Sequence, residues 1–287
     1  MPEKIKDYFR FIKFSHTIFA LPFALIGFFL AFISYTASWL LLIYVLLCMI
    51  FARSAAMGFN RYLDRKIDAK NPRTSKRELP AGKISSKNAL IFVIVSSVLF
   101  IVTTLLINTL VFWLSFVALF VVLGYSYTKR FTALSHLVLG LGLSLAPIGA
   151  YLAISAEFNI IPVLFSLVVL FWVSGFDVIY SLQDFDFDQS NNLNSIPVML
   201  GKKGALNLSV FLHILAIIPI IILGFIYPFS YLYWIGSSIF IGLLIYQHIL
   251  VKPDDLSKVN IAFGTTNGVA SVIFATFVIL DLLIRVL

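Results

Sequence analysis

Apolar runs of about 20 residues, the length a helix needs to cross a hydrocarbon core about 30 Å thick, recur along this whole sequence. They fall near residues 15 to 35, 38 to 60, 88 to 107, 110 to 127, 134 to 154, 160 to 183, 204 to 226, 229 to 250 and 259 to 284. Backbone groups in lipid have no water to bond, so each run is read as a helix that satisfies its own N–H and C=O groups. The expected fold is therefore all-α and polytopic, with nine transmembrane helices. Hydrophobic side chains make up 61% of the chain and charged ones 12%, against about 25% charged in soluble domains. No break in composition marks a second domain, so residues 1–287 read as a single membrane-embedded unit.

Lysine and arginine give an independent check, because cytoplasmic loops collect them and translocated loops do not. Lys4, Lys6, Arg10 and Lys13 precede the first run, and nine basic residues lie between Arg61 and Lys87. Lys129 and Arg130, Lys202 and Lys203, and Lys252 and Lys258 follow the fourth, sixth and eighth runs. The alternate loops near residues 36, 109, 157 and 228 carry none. This pattern predicts a cytoplasmic N-terminus, an outer C-terminus and a multi-pass location in the cell's inner (cytoplasmic) membrane. The net charge of +8 is then explained by topology and anionic membrane lipid, and no nucleic acid is called for. The first fourteen residues are too polar for a cleavable signal and read as a basic amphipathic lead-in on the membrane surface. Cys48, alone in an apolar run, excludes a disulfide framework and reads as packing.

Two polar loops, 61 to 87 and 184 to 203, echo each other. Each follows a long run, opens with carboxylates four residues apart and reaches a Pro before a Gly-Lys pair, Pro80 to Gly82-Lys83 and Pro197 to Gly201-Lys202. The acids that open them carry the chemistry. Asn60, Asp64 and Asp68, spaced by four and four, stack on one helix face. Asp177, Asp184 and Asp188, with Tyr180 and Asp186 among them, stand at the matching end of the sixth run. Like charges at this spacing repel, so the clusters call for a counter-ion. Oxygen ligands without Cys or His select a hard divalent cation, and Mg²⁺ characteristically shares one or two carboxylates with substrate phosphate oxygens. Arg53 lies two turns below Asn60 on the same face, either as a structural partner for Asp177 or as the contact of an anionic substrate group. Lys129 and Arg130 enter the same surface and suit a departing diphosphate.

These residues resemble the UbiA-type intramembrane aromatic prenyltransferases over essentially the whole chain. Asn60-x-x-x-Asp64-x-x-x-Asp68, with Arg53 upstream and Arg77-x-x-Pro80-x-Gly82 downstream, is similar to that family's first signature. Asp177-x-x-Tyr180-x-x-x-Asp184-x-x-x-Asp188 is similar to its second, and Tyr127-x-Lys129-Arg130 to its basic loop. The resemblance implies helices around a central cavity, Mg²⁺ held by Asn60, Asp64, Asp68, Asp177, Asp184 and Asp188, and a polyprenyl diphosphate donor. It also implies an aromatic acid acceptor, as in ubiquinone or menaquinone biosynthesis. Lys129, Arg130 and Tyr180 take catalytic roles, the first two on the leaving diphosphate and Tyr180 on a developing allylic cation. Arg10, Lys13, His16, Arg53 and Arg77 are candidate substrate contacts. The acceptor stays open: where the 4-hydroxybenzoate branch shows Asp-Lys-Pro after an Arg, this chain reads Arg10-Phe11-Ile12-Lys13-Phe14-Ser15-His16-Thr17. That run is closer to relatives acting on a dihydroxynaphthoate such as 1,4-dihydroxy-6-naphthoate. His136, His213 and His248 lack partners at ligand spacing and receive no role. A secondary transporter with an Asp-lined ion site is the competing class, but carriers hold ions near the midplane, whereas both clusters here sit at helix ends.

Overall fold

A computed structural model describes residues 3–285. A surface helix α1 (Glu3–Phe11) leads through a 3₁₀ turn (Phe14–Phe19) into α2 (Leu21–Phe32), followed by α3 (Leu40–Lys70), α4 (Ser86–Leu105) and α5 (Thr109–Thr128). Then come α6 (Ser135–Ser155), α7 (Ile160–Ser181), a 3₁₀ turn (Leu182–Asp184) and the short α8 (Phe185–Ser190). α9 (Ile196–Ile226), α10 (Tyr231–Leu250), a π-helical turn (Ile261–Thr266) and α11 (Asn267–Ile284) complete the chain. Among the described residues eight helical spans are long and apolar enough to cross a membrane. A ninth is obtained when the N-terminal helices, bent by 52° at Ala20 just before α2 begins, are taken as one span. The run expected at 15 to 35 is thus a bent entry and not a straight helix.

Local chemistry sets the boundaries. Side chains of Ser85, Asn108, Asn159, Ser195 and Ser230 each accept a backbone N–H from the first turn of α4, α5, α7, α9 and α10, taking up donors that a helix start leaves open. At 31 residues, α3 is about 46 Å long. It therefore overshoots a core of about 30 Å, and its last turns carry Asn60, Asp64 and Asp68 clear of the lipid. Gly140 allows α6 to lie against α7: a Cβ there would stand 2.2 Å from the Ser174 hydroxyl and 2.4 Å from the Leu170 carbonyl. Gly82, in the first polar loop, and Gly201, which kinks α9, both adopt positive φ, 73° and 72°.

Packing divides the bundle into a filled half and a hollow half. Phe23, Phe165, Trp172, Tyr233, Phe240 and Phe274 fill the space among α2, α7, α10 and α11. On the other side, α3, α5 and α6 surround a cavity of about 330 Å³.

A buried acid at the end of the bundle opposite the basic loops acts structurally. Asp281, fully buried on α11, accepts the Ser230 N–H (2.9 Å), the Ser230 hydroxyl (2.6 Å) and the Tyr233 N–H (2.9 Å). It thus caps α10 from a neighbouring helix, where negative charge also suits the helix dipole. Asp281→Ala is expected to lower stability by about 1–3 kcal/mol, the cost of stranding buried donors. Thermal unfolding in detergent should show a lower midpoint, and an unchanged midpoint would remove this role.

Candidate active site

The C-terminal ends of α3, α5 and α7 and the start of α6 meet at one end of the bundle, around a polar chamber of about 230 Å³. Asn60, Asp64, Asp68, Arg77, Lys129, Asp177, Tyr180, Asp184 and Asp188 all line it. The first acidic set arrives on one face, as its spacing requires. Asp64 and Asp68 are 3% and 6% exposed, and the Asn60 amide donates to Asp64 Oδ2 at 3.3 Å. The second set does not share one helix face. α7 ends at Ser181, and the tight turn of Leu182–Asp184 breaks the register before α8, yet all three of its acids still reach the chamber. Asp186 is exposed and takes no part in the wall.

Three of these acids already have cationic partners. The Lys129 ammonium bonds Asp64 Oδ2, Arg77 Nη1 donates to both oxygens of Asp68 at 2.9 and 3.0 Å, and Arg73 forks onto Asp184. The repulsion that called for a metal counter-ion is therefore partly met from within the chain. No set of three or more acidic, His or Cys groups among the described residues is gathered tightly enough to hold a metal as it stands. The balance is nonetheless negative, with five carboxylates in the wall against three cations.

Asp177 is engaged differently from the expected ligand: its Oδ2 lies 2.7 Å from Nδ1 of His136. His136 therefore has a partner that sequence spacing did not show, and it takes one oxygen of Asp177. Arg53 is not paired with Asp177 either. Its Nη2 donates to the Lys13 carbonyl at 3.3 Å and its Nε is buried without a partner, and it lines the apolar cavity instead of the chamber. Tyr125 and Leu139 belong to both walls, so the two spaces meet there.

Other candidates fall outside. Arg10 is 61% exposed and pairs with Asp7 at 3.9 Å on the surface helix. Arg130 clamps the Leu63 carbonyl at 3.0 Å and lies over the Tyr127 ring, away from the chamber wall. His16 packs edge-on against Phe19 and at a tilt against Phe263, both with ring centroids 5.4 Å away; the side chains of Phe14 and Ser15 lie outside the described residues. Lys13 does reach the site, with Nζ 3.5 Å from the Tyr180 hydroxyl, and His213 is not isolated but bonds His248 at 2.7 Å.

Asn71, Arg73 and His136 are the residues that spacing missed. Asn71 donates to Asp184 Oδ1 at 2.9 Å, and Arg73 adds a 3.0 Å bond to the Tyr180 hydroxyl. Partial burial of Arg73 opposes its charge, but the bonds to Asp184 and the neighbouring Tyr180 outweigh it and raise its pKa. It is a fixed cation tying the first loop to the second acidic set. For Asn71 and Arg73 the signal was the Asn71-Pro72-Arg73 continuation just past Asp68.

The family model described as the UbiA prenyltransferase family matches residues 20–277. The 4-hydroxybenzoate octaprenyltransferase of Aliivibrio fischeri (strain MJ11) is 35% identical over 245 residues, 82% of each chain. That of Francisella tularensis subsp. novicida is 31% identical over 79% of this chain and 80% of its own. Among solved structures, the apo UbiA homolog from Aeropyrum pernix K1 superposes with a TM-score of 0.80 at 30% identity, covering 95% of this chain and 98% of that one. A UbiA homolog from Archaeoglobus fulgidus bound to DMAPP and Mg²⁺ gives 0.77 at 20% identity, over 97% and 99%. With acidic helix ends, basic loops and an apolar cavity joined at one end of a membrane bundle, this chain belongs to the UbiA prenyltransferase family and is a transferase.

Proposed function

We propose that the chain moves a polyprenyl group from its diphosphate onto a hydroxylated aromatic acid, with Mg²⁺ as cofactor. The observation that carries this is the junction of a charged chamber with an apolar cavity: one suits a diphosphate, the other a prenyl chain. A chamber with five carboxylates and three cations would repel a diphosphate unless divalent ions entered with it. Asp64 supports that fit, since its Oδ1 is buried with no hydrogen-bond partner. Asn60, Asp64, Asp68, Asp184 and Asp188 would hold the metal, all through oxygen. When bound, Mg²⁺ supplies Lewis-acid stabilisation of charge on the leaving diphosphate.

The chain's own groups do the rest. Lys129, in the chamber wall, places a cation where charge develops as the allylic C–O bond breaks. Tyr180, held by Arg73 and tilted against Phe263 with ring centroids 4.0 Å apart, presents an electron-rich ring in the chamber wall. The spread of Lys and Arg supports a chamber facing the cytoplasm, in the cytoplasmic membrane.

Arg53, in the wall of the apolar cavity, suits the carboxylate of the acceptor. Arg53→Lys keeps the charge but loses the planar fork. It is expected to raise the acceptor KM roughly tenfold, about one charge-assisted hydrogen bond, with the donor KM unchanged. A rise in the donor KM instead would move Arg53 to the diphosphate.

The curated relatives' names support 4-hydroxybenzoate as acceptor, and the Lys13 to Thr17 run supports 1,4-dihydroxy-6-naphthoate. Purified protein given a polyprenyl diphosphate and both acids side by side tests the proposal. The expected result is a prenylated acid formed with Mg²⁺ and absent with EDTA. Transfer to neither acid, or transfer indifferent to EDTA, would refute it.

A further inference from the structure

Three polar atoms at the two cavities are buried and unpartnered: Asp64 Oδ1, Arg53 Nε and His136 Nε2. Buried polar atoms almost always have partners, so each of these asks for an explanation. The metal and the acceptor carboxylate address the first two. His136 is left over. It stands at the start of α6, in the chamber wall and one turn before Leu139, which with Tyr125 is shared with the apolar cavity. Only 6% of it is exposed, and Asp177 takes its Nδ1.

In the neutral imidazole a carboxylate on Nδ1 holds the proton on that nitrogen, which leaves Nε2 as an acceptor lone pair. Gly140, one turn further along α6, holds this face against α7 and so keeps the ring beside Asp177. An oriented, acceptor-only nitrogen at the wall of a reaction chamber is the arrangement of a general base.

We propose that His136 is the catalytic base for the acceptor hydroxyl, with Asp177 as its positioning residue; this rests on the aromatic acceptor proposed above. Nε2 takes the hydroxyl proton as the neighbouring ring carbon bonds to the allylic carbon of the donor. The allylic C–O bond breaks, and its electron pair leaves on the diphosphate. The ring, now a dienone, loses the proton from the attacked carbon to the departing diphosphate, and the imidazolium returns its proton to the oxygen. No oxidant or reductant is needed, and His136 ends neutral.

The test compares wild type, His136→Gln and Asp177→Asn on the accepted acid and on its ring-fluorinated analogue, whose hydroxyl is more acidic. Gln matches the size but cannot take a proton. His136→Gln is expected to lower kcat about 10²-fold, within the range of a lost general base, with the donor KM within about twofold of wild type. The loss should shrink to under about tenfold on the fluorinated acid, because an acceptor that ionises readily needs less help. Asp177→Asn should show a smaller loss with the same sensitivity to acceptor acidity, and imidazole added to His136→Ala should restore turnover. An equal loss on both acceptors without imidazole rescue overturns the base alone. A wild type that transfers to neither acid overturns the acceptor and the base together.

Discussion

Asp64→Ala is expected to insert and fold in the membrane yet lose prenyl transfer by on the order of 10²–10³-fold, the scale of losing one preorganised group that stabilises transition-state charge. Its carboxylate is almost fully buried, has one oxygen on Lys129 and the other on nothing. Removing it takes away the oxygen best placed for a metal and frees Lys129 in a chamber that still holds four acids. Folding should survive, because the wall keeps its other ion pairs, Arg77 with Asp68 and Arg73 with Asp184. Size-exclusion behaviour and an unfolding midpoint close to wild type would confirm that. Near-normal turnover would show that the first acidic set holds no essential metal.

Lys129→Ala should lower kcat about 10²-fold while leaving the acceptor KM within about twofold. The reason is timing. An ammonium at the chamber wall matters little when the donor first binds and most as negative charge gathers on the leaving diphosphate. The variant also strands Asp64, whose partner it is, so donor affinity is expected to fall modestly through the unpaired buried charge. Steady-state kinetics with both substrates varied separates the two effects. An unchanged kcat with a raised acceptor KM would move Lys129 to the other substrate.

Much of this was legible in the chain because lipid leaves few options. Apolar length set the spans, and six begin and end close to where hydropathy and the polar breaks put them, while α3 runs on past residue 60 to Lys70 and α9 starts before residue 204, at Ile196. The four-residue spacing of Asn60, Asp64 and Asp68 survived because one long helix carries it. Spacing failed at Asp177, Asp184 and Asp188, where a 3₁₀ turn intervenes that no periodicity announces. His136 and Asp177, 41 positions apart, are brought together by the packing of α6 on α7, which is a tertiary fact. Arg10 and Arg130 read as site residues because basic residues near a membrane surface look alike in sequence; one pairs with a surface acid and the other clamps a helix end.

The joined chamber and cavity can be tested directly by photolabelling the purified protein with a polyprenyl diphosphate carrying a diazirine on its tail. Label should fall on residues of the hollow half, such as Cys48 and Met49 of α3 or Ala146 of α6, be displaced by unlabelled donor, and weaken in Asp64→Ala. Label on the packed side among α7, α10 and α11, or label indifferent to competing donor, would contradict the reading of these two spaces as one site.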